Sequence, residues 1–246
     1  MTIGLTLFGI ALLIAAAWAG GFFLRDSSQA ATISDALRRY RAGDHPSGGL
    51  NGVYVYATTG SESISALGGA KHDYSAKTSI TATQVPCGMR YQWSPLEDRS
   101  TSWTFCSTAA GIELRISDER HTFFGQGDRA VYRCKNRFLM RVKPLPELTP
   151  FSCRSDRNLE VGKVQVIGAG TIDVGGRRVQ AIRVRNELTI RSRDSGTETI
   201  DWWLDLSNGL PLRVTLRSRT SRKMWVGRVH YRENLSLRLL SLRPMR

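Results

Sequence analysis

The stretch TETIDWWLDLSNGLPLRVTLRSRT, residues 197–220, carries the clearest strand pattern in the chain. Its apolar residues alternate with polar ones, and a period of two is typical of β-strands with one buried and one wet face. Asn208-Gly209 predicts the turn between two such strands, because both residues tolerate positive φ. Trp203 breaks the pattern, since the alternation places it on the polar face. The stretch therefore predicts a β-hairpin.

Strand-like segments continue on both sides of this hairpin. They are rich in β-branched and aromatic residues or show apolar–polar alternation. The predicted strands are 53–58, 61–67, 77–85, 88–93, 102–105, 112–116, 121–124, 130–133, 161–174, 178–190 and 226–232. Segment 235–242 predicts a terminal strand or a short helix, and Pro144, Pro146 and Pro150 predict an irregular connection. Strands joined in order by short turns make an antiparallel meander.

Residues 3–24 form an uncharged, mostly apolar run near the N-terminus. As a helix this run would be about 33 Å long at ~1.5 Å per residue, enough to cross a bilayer. A cleaved signal peptide is the alternative, with a cleavage site at 15–17. Signal peptides begin with a basic region, however, and no Lys or Arg precedes Arg25. We expect residues 1–25 to be a retained transmembrane anchor.

Two further regions follow this segment. Residues 26–51 predict a polar spacer and an amphipathic helix, which Thr32 or Ser34 caps and Gly43 ends. The helix is either a stalk or piece of core, or a lid over an open sheet. Residues 52–246 then form one antiparallel β domain.

Four cysteines bear on the compartment. An even number of cysteines in a chain with an export segment predicts disulfides outside the cytoplasm. Three connectivities are possible, and we favour the sequential one, Cys87–Cys106 and Cys134–Cys153, in which both separations are 19. A hairpin turning near 95–98 would place the first pair opposite each other. Zinc is the rival explanation, but the chain has no CxxC or HxxxH pair. We therefore expect a single-pass cell-membrane protein with an extracytoplasmic C-terminal domain.

The net charge of +14 is unevenly spread. Residues 1–110 hold 8 Lys/Arg and 7 Asp/Glu, whereas residues 111–246 hold 27 and 14. A basic half points to an anionic neighbour such as phospholipid, anionic envelope polymer or nucleic acid. The export segment and the disulfides argue against nucleic acid.

Arginines share the polar face of the predicted sheet. In one reading this is a solvated face with exposed ion pairs worth ~0–1 kcal/mol each. In the other it is a cationic surface that faces the membrane or an anionic wall polymer. The predicted surface residues are Arg183, Arg185, Arg191, Arg193, Arg213, Arg217 and Arg219.

Motifs that carry chemistry are missing from the sequence. It contains no GxSxG elbow, Walker loop or HExxH pair, and Gly168-Ala169-Gly170 lies inside a strand pattern. His72 beside Asp73, and Asp201 and Asp205 around two tryptophans, are the polar groups worth inspecting. We expect no catalytic residues, no metal site and no cofactor, and therefore a protein that is not an enzyme.

The hairpin resembles the outer-membrane lipoprotein carrier superfamily and its mycobacterial lipoprotein relatives. Those proteins often carry a Trp-x-Asp-x-x-x-Gly-Leu-Pro-like hairpin, which Trp203, Asp205, Gly209, Leu210 and Pro211 match. The resemblance covers roughly residues 159–240, and the general layout is similar to actinobacterial single-pass envelope proteins. It implies a mainly β fold: a curved antiparallel sheet or incompletely closed β-barrel with a covering helix, here preceded by one N-terminal transmembrane helix.

The resemblance also implies a function. Members of the superfamily hold acyl chains on the concave apolar face, which implies a membrane-anchored protein that binds a lipid or acyl chain in a sheet cavity. The residues implied to line it are Ile182, Val184, Leu188, Ile190, Trp202, Leu204, Leu212, Val214 and Leu216. The alternative is a non-enzymatic envelope interaction or structural module with a closed core. In that reading the basic face docks on anionic lipid or wall polymer.

Overall fold

Fourteen strands and one helix form the part of the chain that the computed structural model describes, residues 28–43, 45–46, 48–66, 69–123, 126–141, 148–224 and 227–246. The helix α1 spans Ile33–Ala42. The strands are β1 (Gly52–Ile64), β2 (Ala70–Asp73), β3 (Lys77–Val85), β4 (Gly88–Leu96), β5 (Arg99–Thr108), β6 (Gly111–Phe123), β7 (Gln126–Lys135), β8 (Phe138–Arg141), β9 (Thr149–Arg154), β10 (Asn158–Val174), β11 (Arg177–Ser192), β12 (Asp194–Asp205), β13 (Pro211–Met224) and β14 (Gly227–Leu239).

The predicted transmembrane segment, residues 3–24, lies outside the described residues. Within the described ranges, no helix is both long and apolar enough to cross a membrane.

The strands form one antiparallel sheet in nearly sequential order. From β3 to β7 and from β9 to β14, each strand pairs with the next one along the chain. β8 leaves this path to pair with β6, and β7 therefore pairs with β9. The first strand pairs with β3, with the short β2 and with the last strand, β14. The hydrogen-bonded path thus returns to its start, and the predicted antiparallel meander is confirmed.

The pairing of β1 with β14, which we call the seam, runs from Tyr56–Leu239 to Ile64–Tyr231. Gly60 permits this close approach, because a Cβ there would lie 2.0 Å from the carbonyl oxygen of Asn234 and its φ is +136°. The sequence predicts two separate strands on either side of this glycine, 53–58 and 61–67. That prediction is wrong, because β1 is continuous.

The turn between β12 and β13 is longer than an Asn-Gly pair. It spans residues 206–210, and the Asp205 carbonyl accepts a 2.8 Å hydrogen bond from the Gly209 amide. Gly209 has a φ of +74°, whereas Asn208 contributes through its side chain, which accepts a hydrogen bond from the Leu210 amide at 2.9 Å. The predicted hairpin is confirmed, with Gly209 as the residue that needs positive φ.

The helix α1 begins and ends where the sequence predicts. Thr32 and Asp35 form a reciprocal capping box, and Gly43 is the C-cap. Ala36 is buried, and α1 contacts β1 and β3. The helix therefore packs against the sheet through a small apolar contact.

Both disulfides have the predicted sequential connectivity. Cys87 bonds to Cys106 beside the β4–β5 hairpin, and Cys134 bonds to Cys153 directly across the β7–β9 pair. The second bridge joins β7 to β9, which are not consecutive because β8 lies between them in sequence and pairs with β6. The bridge therefore links β9 covalently to the strand it pairs with. One nearby prediction is wrong: Pro150, predicted in an irregular connection, lies in β9 and pairs with Lys163.

Removing the second bridge tests its role. We expect replacing Cys134 and Cys153 together by Ala to lower the free energy of unfolding by about 3 kcal/mol, as chain entropy predicts for loops of this size. Urea unfolding of the full chain measures this. The variant without Cys87 and Cys106 is the matched control, because its separation is also 19. An unchanged unfolding midpoint would contradict a stabilising bridge.

Candidate functional site

The nine apolar residues implied to line a pocket lie on one face of β11, β12 and β13, which we call the inner face. Eight are buried and Ile182 is partly buried. They fall into two apolar clusters: Trp202, Leu204, Leu212, Val214 and Leu216 in the larger, and Val184, Leu188 and Ile190 in the smaller. Ile182 packs against both.

Aromatic side chains surround the tryptophan at the centre of the larger cluster. Trp202 is fully buried, and its ring meets those of Trp103 and Phe105 edge to face, with centroids 5.1 and 5.5 Å apart. Such pairs contribute about 0.5–1.5 kcal/mol beyond the area they bury. The structure therefore shows these residues as packed core, and their role in ligand binding stays a prediction.

A polar cluster on the inner face has the seam at its centre. Glu62 of β1 and Glu233 of β14 are direct cross-strand partners, and both are buried. Arg99 lies between them, with its Nη2 donating to Glu233 Oε2 at 3.1 Å and its Nε 3.5 Å from Glu62 Oε2. Two like charges opposite each other are destabilising, so the buried guanidinium compensates for the carboxylate pair.

Tyrosines and histidines complete this cluster. The Tyr74 hydroxyl donates to Glu233 Oε1 at 2.7 Å, and the Tyr231 hydroxyl lies about equally close to both glutamates, at 3.0 and 2.9 Å. His72 Nδ1 and His121 Nδ1 lie 3.1 and 3.4 Å from the Glu62 oxygens. We call these seven side chains the seam cluster.

The seam cluster sets the ionisation of its members. Burial alone would raise the pKa of Glu62, but the hydrogen bond with His121 and the charge of Arg99 outweigh it and lower that pKa to about 2. Burial and the neighbouring carboxylates raise the pKa of Tyr231 well above its usual value. The carboxylate of Glu62 is therefore charged and the phenol of Tyr231 is a donor at neutral pH.

Sequence reasoning missed this cluster. It singled out His72 beside Asp73, but the structure separates them: His72 contacts Glu62, and Asp73 pairs with Lys71 at the surface. The alternation of β1 could have revealed the cluster, because it places Glu62 on the same side of the strand as the buried Tyr54 and Tyr56. Glu233 is likewise in phase with Leu235.

A second buried arginine lies beside the smaller apolar cluster. Arg137 Nε donates to Asn186 Oδ1 at 2.8 Å, and Nη1 lies 3.6 Å from Glu160 Oε2. The guanidinium also lies 4.8 Å from the centroid of Phe151. Burial raises the pKa of Glu160 to about 8 although Arg137 opposes this. Glu160 therefore holds its proton at neutral pH.

The opposite, outer face carries six of the seven predicted arginines. Arg191, Arg213, Arg217 and Arg219 are exposed there, whereas Arg193 is exposed in the turn between β11 and β12. Arg183 and Arg185 are half-buried, and both donate to Asp201, at 3.0 and 2.8 Å. Burial alone would raise the pKa of Asp201, but these hydrogen bonds outweigh it and lower that pKa. The structure thus places all seven at the surface but divides them into a paired set and an exposed set.

The β13–β14 hairpin concentrates this charge. Its outward positions carry seven cations and no acid: Arg213, Arg217, Arg219, Lys223, Arg228, Arg232 and Arg238. We call these residues the outer basic strip. The one acid in the two strands, Glu233, lies on the inner face.

Six of the seven cations in the outer basic strip oppose one another directly. The register pairs Arg213 with Arg238, Arg219 with Arg232, and Lys223 with Arg228. Directly opposite side chains in antiparallel pairs have Cβ atoms ~4.5–5.5 Å apart, so each pair is repulsive. No acidic side chain of the described residues forms an ion pair with any of the six.

One row of cross-strand partners on the outer face contains a tryptophan among the arginines. Arg183, Trp203, Arg213 and Arg238 are successive partners across β11 to β14. The guanidinium carbons of Arg183 and Arg213 lie 4.7 and 4.8 Å from the centre of the Trp203 ring. Such contacts contribute about 0.5–1 kcal/mol at exposed sites. Trp203 therefore lies on the outer, solvent-facing side of the sheet, as predicted, where the guanidinium groups of two arginines contact its ring.

Two open clefts lie at the surface of the sheet. One of about 590 Å³ on the outer side of β4 to β7 is polar and includes Gln92, Ser102 and Arg120. The other, of about 240 Å³, lies beside Trp203 and Arg183 and includes Gly168, Gly170 and Ala181. In the parts of the chain that the structure describes, no group of three or more His, Cys, Asp or Glu side chains is arranged to hold a metal ion.

The fold and these surfaces define a mainly antiparallel β protein with two disulfides, a packed inner face and a basic outer face. No family model and no curated protein matches the chain. Among solved structures, the chain is similar to the hypothetical lipoprotein YmcC from Escherichia coli K12, with 11% identity over 83% of this chain and 96% of that chain, at a TM-score of 0.35. A likeness of this size says nothing about function, and the resemblance to lipoprotein carriers stays a prediction.

Arg99 is the first target for mutation. Arg99→Leu leaves Glu62 and Glu233 buried, opposed and uncompensated, so we expect the free energy of unfolding to fall by about 3–5 kcal/mol. Arg129→Leu is the matched control, because Arg129 is exposed and pairs with a single acid, Asp118. Urea unfolding measures both. Equal losses in the two variants would contradict a special role for the seam cluster.

Glu160 makes stability depend on pH. Its pKa in the folded protein, about 8, lies above the usual value of 4.5, so the folded state binds more protons between these pH values. The stabilisation is complete below pH 4.5 and is lost as pH rises to 8, by at most ~1.4 kcal/mol per pH unit. We expect Glu160→Gln to lose less stability than the wild type between pH 5 and pH 8. Identical pH profiles from urea unfolding would refute this.

Proposed function

We propose that this protein is a non-enzymatic, membrane-anchored envelope protein whose outer basic strip docks on an anionic phospholipid surface. The observation that carries the proposal is the set of three like-charge pairs along the β13–β14 hairpin. The strip is about 33 Å long at ~3.3 Å per residue between positions 213 and 223. Each Lys or Arg near an anionic membrane contributes about 1 kcal/mol.

The seam contains another pair of directly opposed like charges, and that pair has a counter-charge. Glu62 and Glu233 face each other on the inner side, and the chain places Arg99 between them. The outer pairs have no such counter-charge among the described residues, although their repulsion is of the same kind. An external anion would relieve it. The contrast supports an anionic partner for the outer basic strip.

The tryptophan in the cationic row favours lipid over an anionic wall polymer. Trp203 lies between Arg183 and Arg213, next to an open cleft and the 40% exposed Ile167. Tryptophan is enriched at the membrane–water interface, where one part of the ring is apolar and another wet. A purely ionic polymer would satisfy the arginines but offer no apolar phase to these side chains.

The proposal also includes an extracytoplasmic location for the C-terminal domain and a membrane anchor at residues 1–25. Two disulfides favour an oxidising, extracytoplasmic location for the C-terminal domain. An anchor at residues 1–25 would hold the basic strip close to the cell membrane, where phospholipid headgroups are concentrated. Docking would then need only modest affinity, because tethering raises the local concentration.

An acyl chain on the inner face is a second candidate. One observation favours it: the indole Nε1 of Trp202 is buried and makes no hydrogen bond within the described part of the chain. An unpaired buried donor costs about 1–3 kcal/mol, and a ligand carbonyl would satisfy it. Native mass spectrometry of the purified full chain should then show a bound lipid. Its absence would sink this candidate and leave the docking proposal intact.

Vesicle capture tests the docking proposal. The full chain, held in zwitterionic nanodiscs so that any anchor is satisfied, is mixed with phosphatidylglycerol or phosphatidylcholine vesicles. We expect sedimentation with the anionic vesicles alone, and loss of binding near ~0.5 M salt, where the Debye length is a few Å. Replacing Arg219 and Arg232 by Ser should weaken binding about 30-fold, as ~1 kcal/mol per arginine implies.

The control variant removes two arginines from elsewhere on the surface. Arg115 and Arg129 are exposed, and each pairs with an acid, so Arg115→Ser with Arg129→Ser removes the same charge. We expect near-wild-type vesicle binding from this variant. An equal loss in both double variants would reduce the effect to net charge, and equal binding to neutral vesicles would refute docking through the strip.

A further inference from the structure

Two glycines form the floor of the cleft beside Trp203. The register of β10 and β11 pairs Gly168 with Arg183 and Gly170 with Ala181; both glycines are exposed, whereas Ala181 is buried in the larger apolar cluster. A β-bulge between Val166 and Gly168 shifts the register at this point. A Cβ built on Gly168 or Gly170 would meet nothing within 4 Å. Both glycines line the cleft, which has a volume of about 240 Å³.

The walls of this cleft differ in chemistry. Ile167 and Ile172 contribute apolar surface, and Ile167 is 40% exposed. Trp203 and Arg183 contribute an aromatic ring and a guanidinium. Apolar and cationic groups thus adjoin one floor, an arrangement that suits a molecule with an apolar part and an anionic part.

The positive charge on the cationic side of the cleft is only partly neutralised by neighbouring acids. Asp201 accepts from Arg183 and Arg185, which leaves this group of three with a net positive charge. Arg213 contacts the same tryptophan ring as Arg183 and faces Arg238 across the ladder. An anionic group in the cleft would interact with Arg183, which lines it, and arginine binds phosphate oxygens well because its donors form a planar fork.

We propose that this cleft binds a single anionic phospholipid. Its phosphate contacts Arg183, and the first part of its apolar chain lies on the floor formed by Gly168 and Gly170. The inference rests on the proposed docking function and deepens it. The outer basic strip supplies attraction to the surface as a whole, whereas the cleft selects one molecule by shape as well as by charge.

Gly170 offers a direct way to fill the cleft. It has no positive φ and its side-chain direction is open, so Gly170→Leu adds four carbons to the floor without backbone strain or a clash. Gly127→Leu is the matched control: Gly127 also lies in a strand without positive φ, its Cβ would meet only Thr122 Oγ1 at 3.6 Å, and it lines the other cleft. We expect both variants to keep the fold, and circular dichroism and thermal unfolding check this.

The binding test uses a short-chain lipid below its micelle concentration. Dihexanoyl phosphatidylglycerol is added to the full chain in zwitterionic nanodiscs, and tryptophan fluorescence is recorded. We expect a saturable change that is absent in Trp203→Phe, at least 10-fold weaker binding by Gly170→Leu, and wild-type binding by Gly127→Leu. Dihexanoyl phosphatidylcholine should bind at least 10-fold more weakly, and inorganic phosphate should give no saturable change.

Several outcomes would overturn the inference. No saturable change in the wild type, or equal affinity in Gly170→Leu, would remove the cleft as a site. An equal response to inorganic phosphate would reduce it to an anion site without lipid selectivity. If vesicle capture succeeds and this titration fails, the cleft is wrong and docking stands. If the titration succeeds and capture fails, docking is wrong and the lipid site stands alone.

Discussion

The structure depends on the pairing between its first and last strands. Without the seam, β1 and β14 would each expose a row of unpaired backbone groups, and the inner face would open to water. With it, side chains on the inner face must find their partners among themselves. Most do so through apolar contact. Glu62 and Glu233 do not, because the seam sets them directly opposite each other, and the buried Arg99 is the consequence.

Opposed like charges on the two faces of the sheet thus have different surroundings. Inside, a carboxylate pair is partly compensated by an arginine from β5 and accepts hydrogen bonds from phenol donors. Outside, the like-charge pairs are exposed to water, and no acid of the described residues forms an ion pair with them. Water and salt lower the cost of the outer pairs, so the sheet tolerates them. They are nevertheless an uncompensated set of charges in fixed positions, which is what recognition of an anion by surface charge requires.

The sequence predicted the hairpin, the meander and both disulfides, because each depends on local features such as alternation, turn residues and spacing. The division into apolar and arginine faces followed from the same alternation. Two kinds of feature were not predictable. The continuity of β1 through Gly60 depends on the close approach of Asn234 from a strand far along the chain. The opposed pairs, Glu62 with Glu233 and Arg219 with Arg232, depend on register between strands, which no single segment contains.

The near-sequential strand order has a consequence for the folding of this protein. Most strand pairs join neighbours along the chain, and each disulfide closes a loop of the same short separation. The entropy lost in forming them is small and can be met hairpin by hairpin. The seam is different, because it joins residues such as Glu62 and Glu233 from opposite ends of the sheet. Its formation carries the largest loop-closure entropy, so we expect the seam to form last, in a step that also encloses the buried charges.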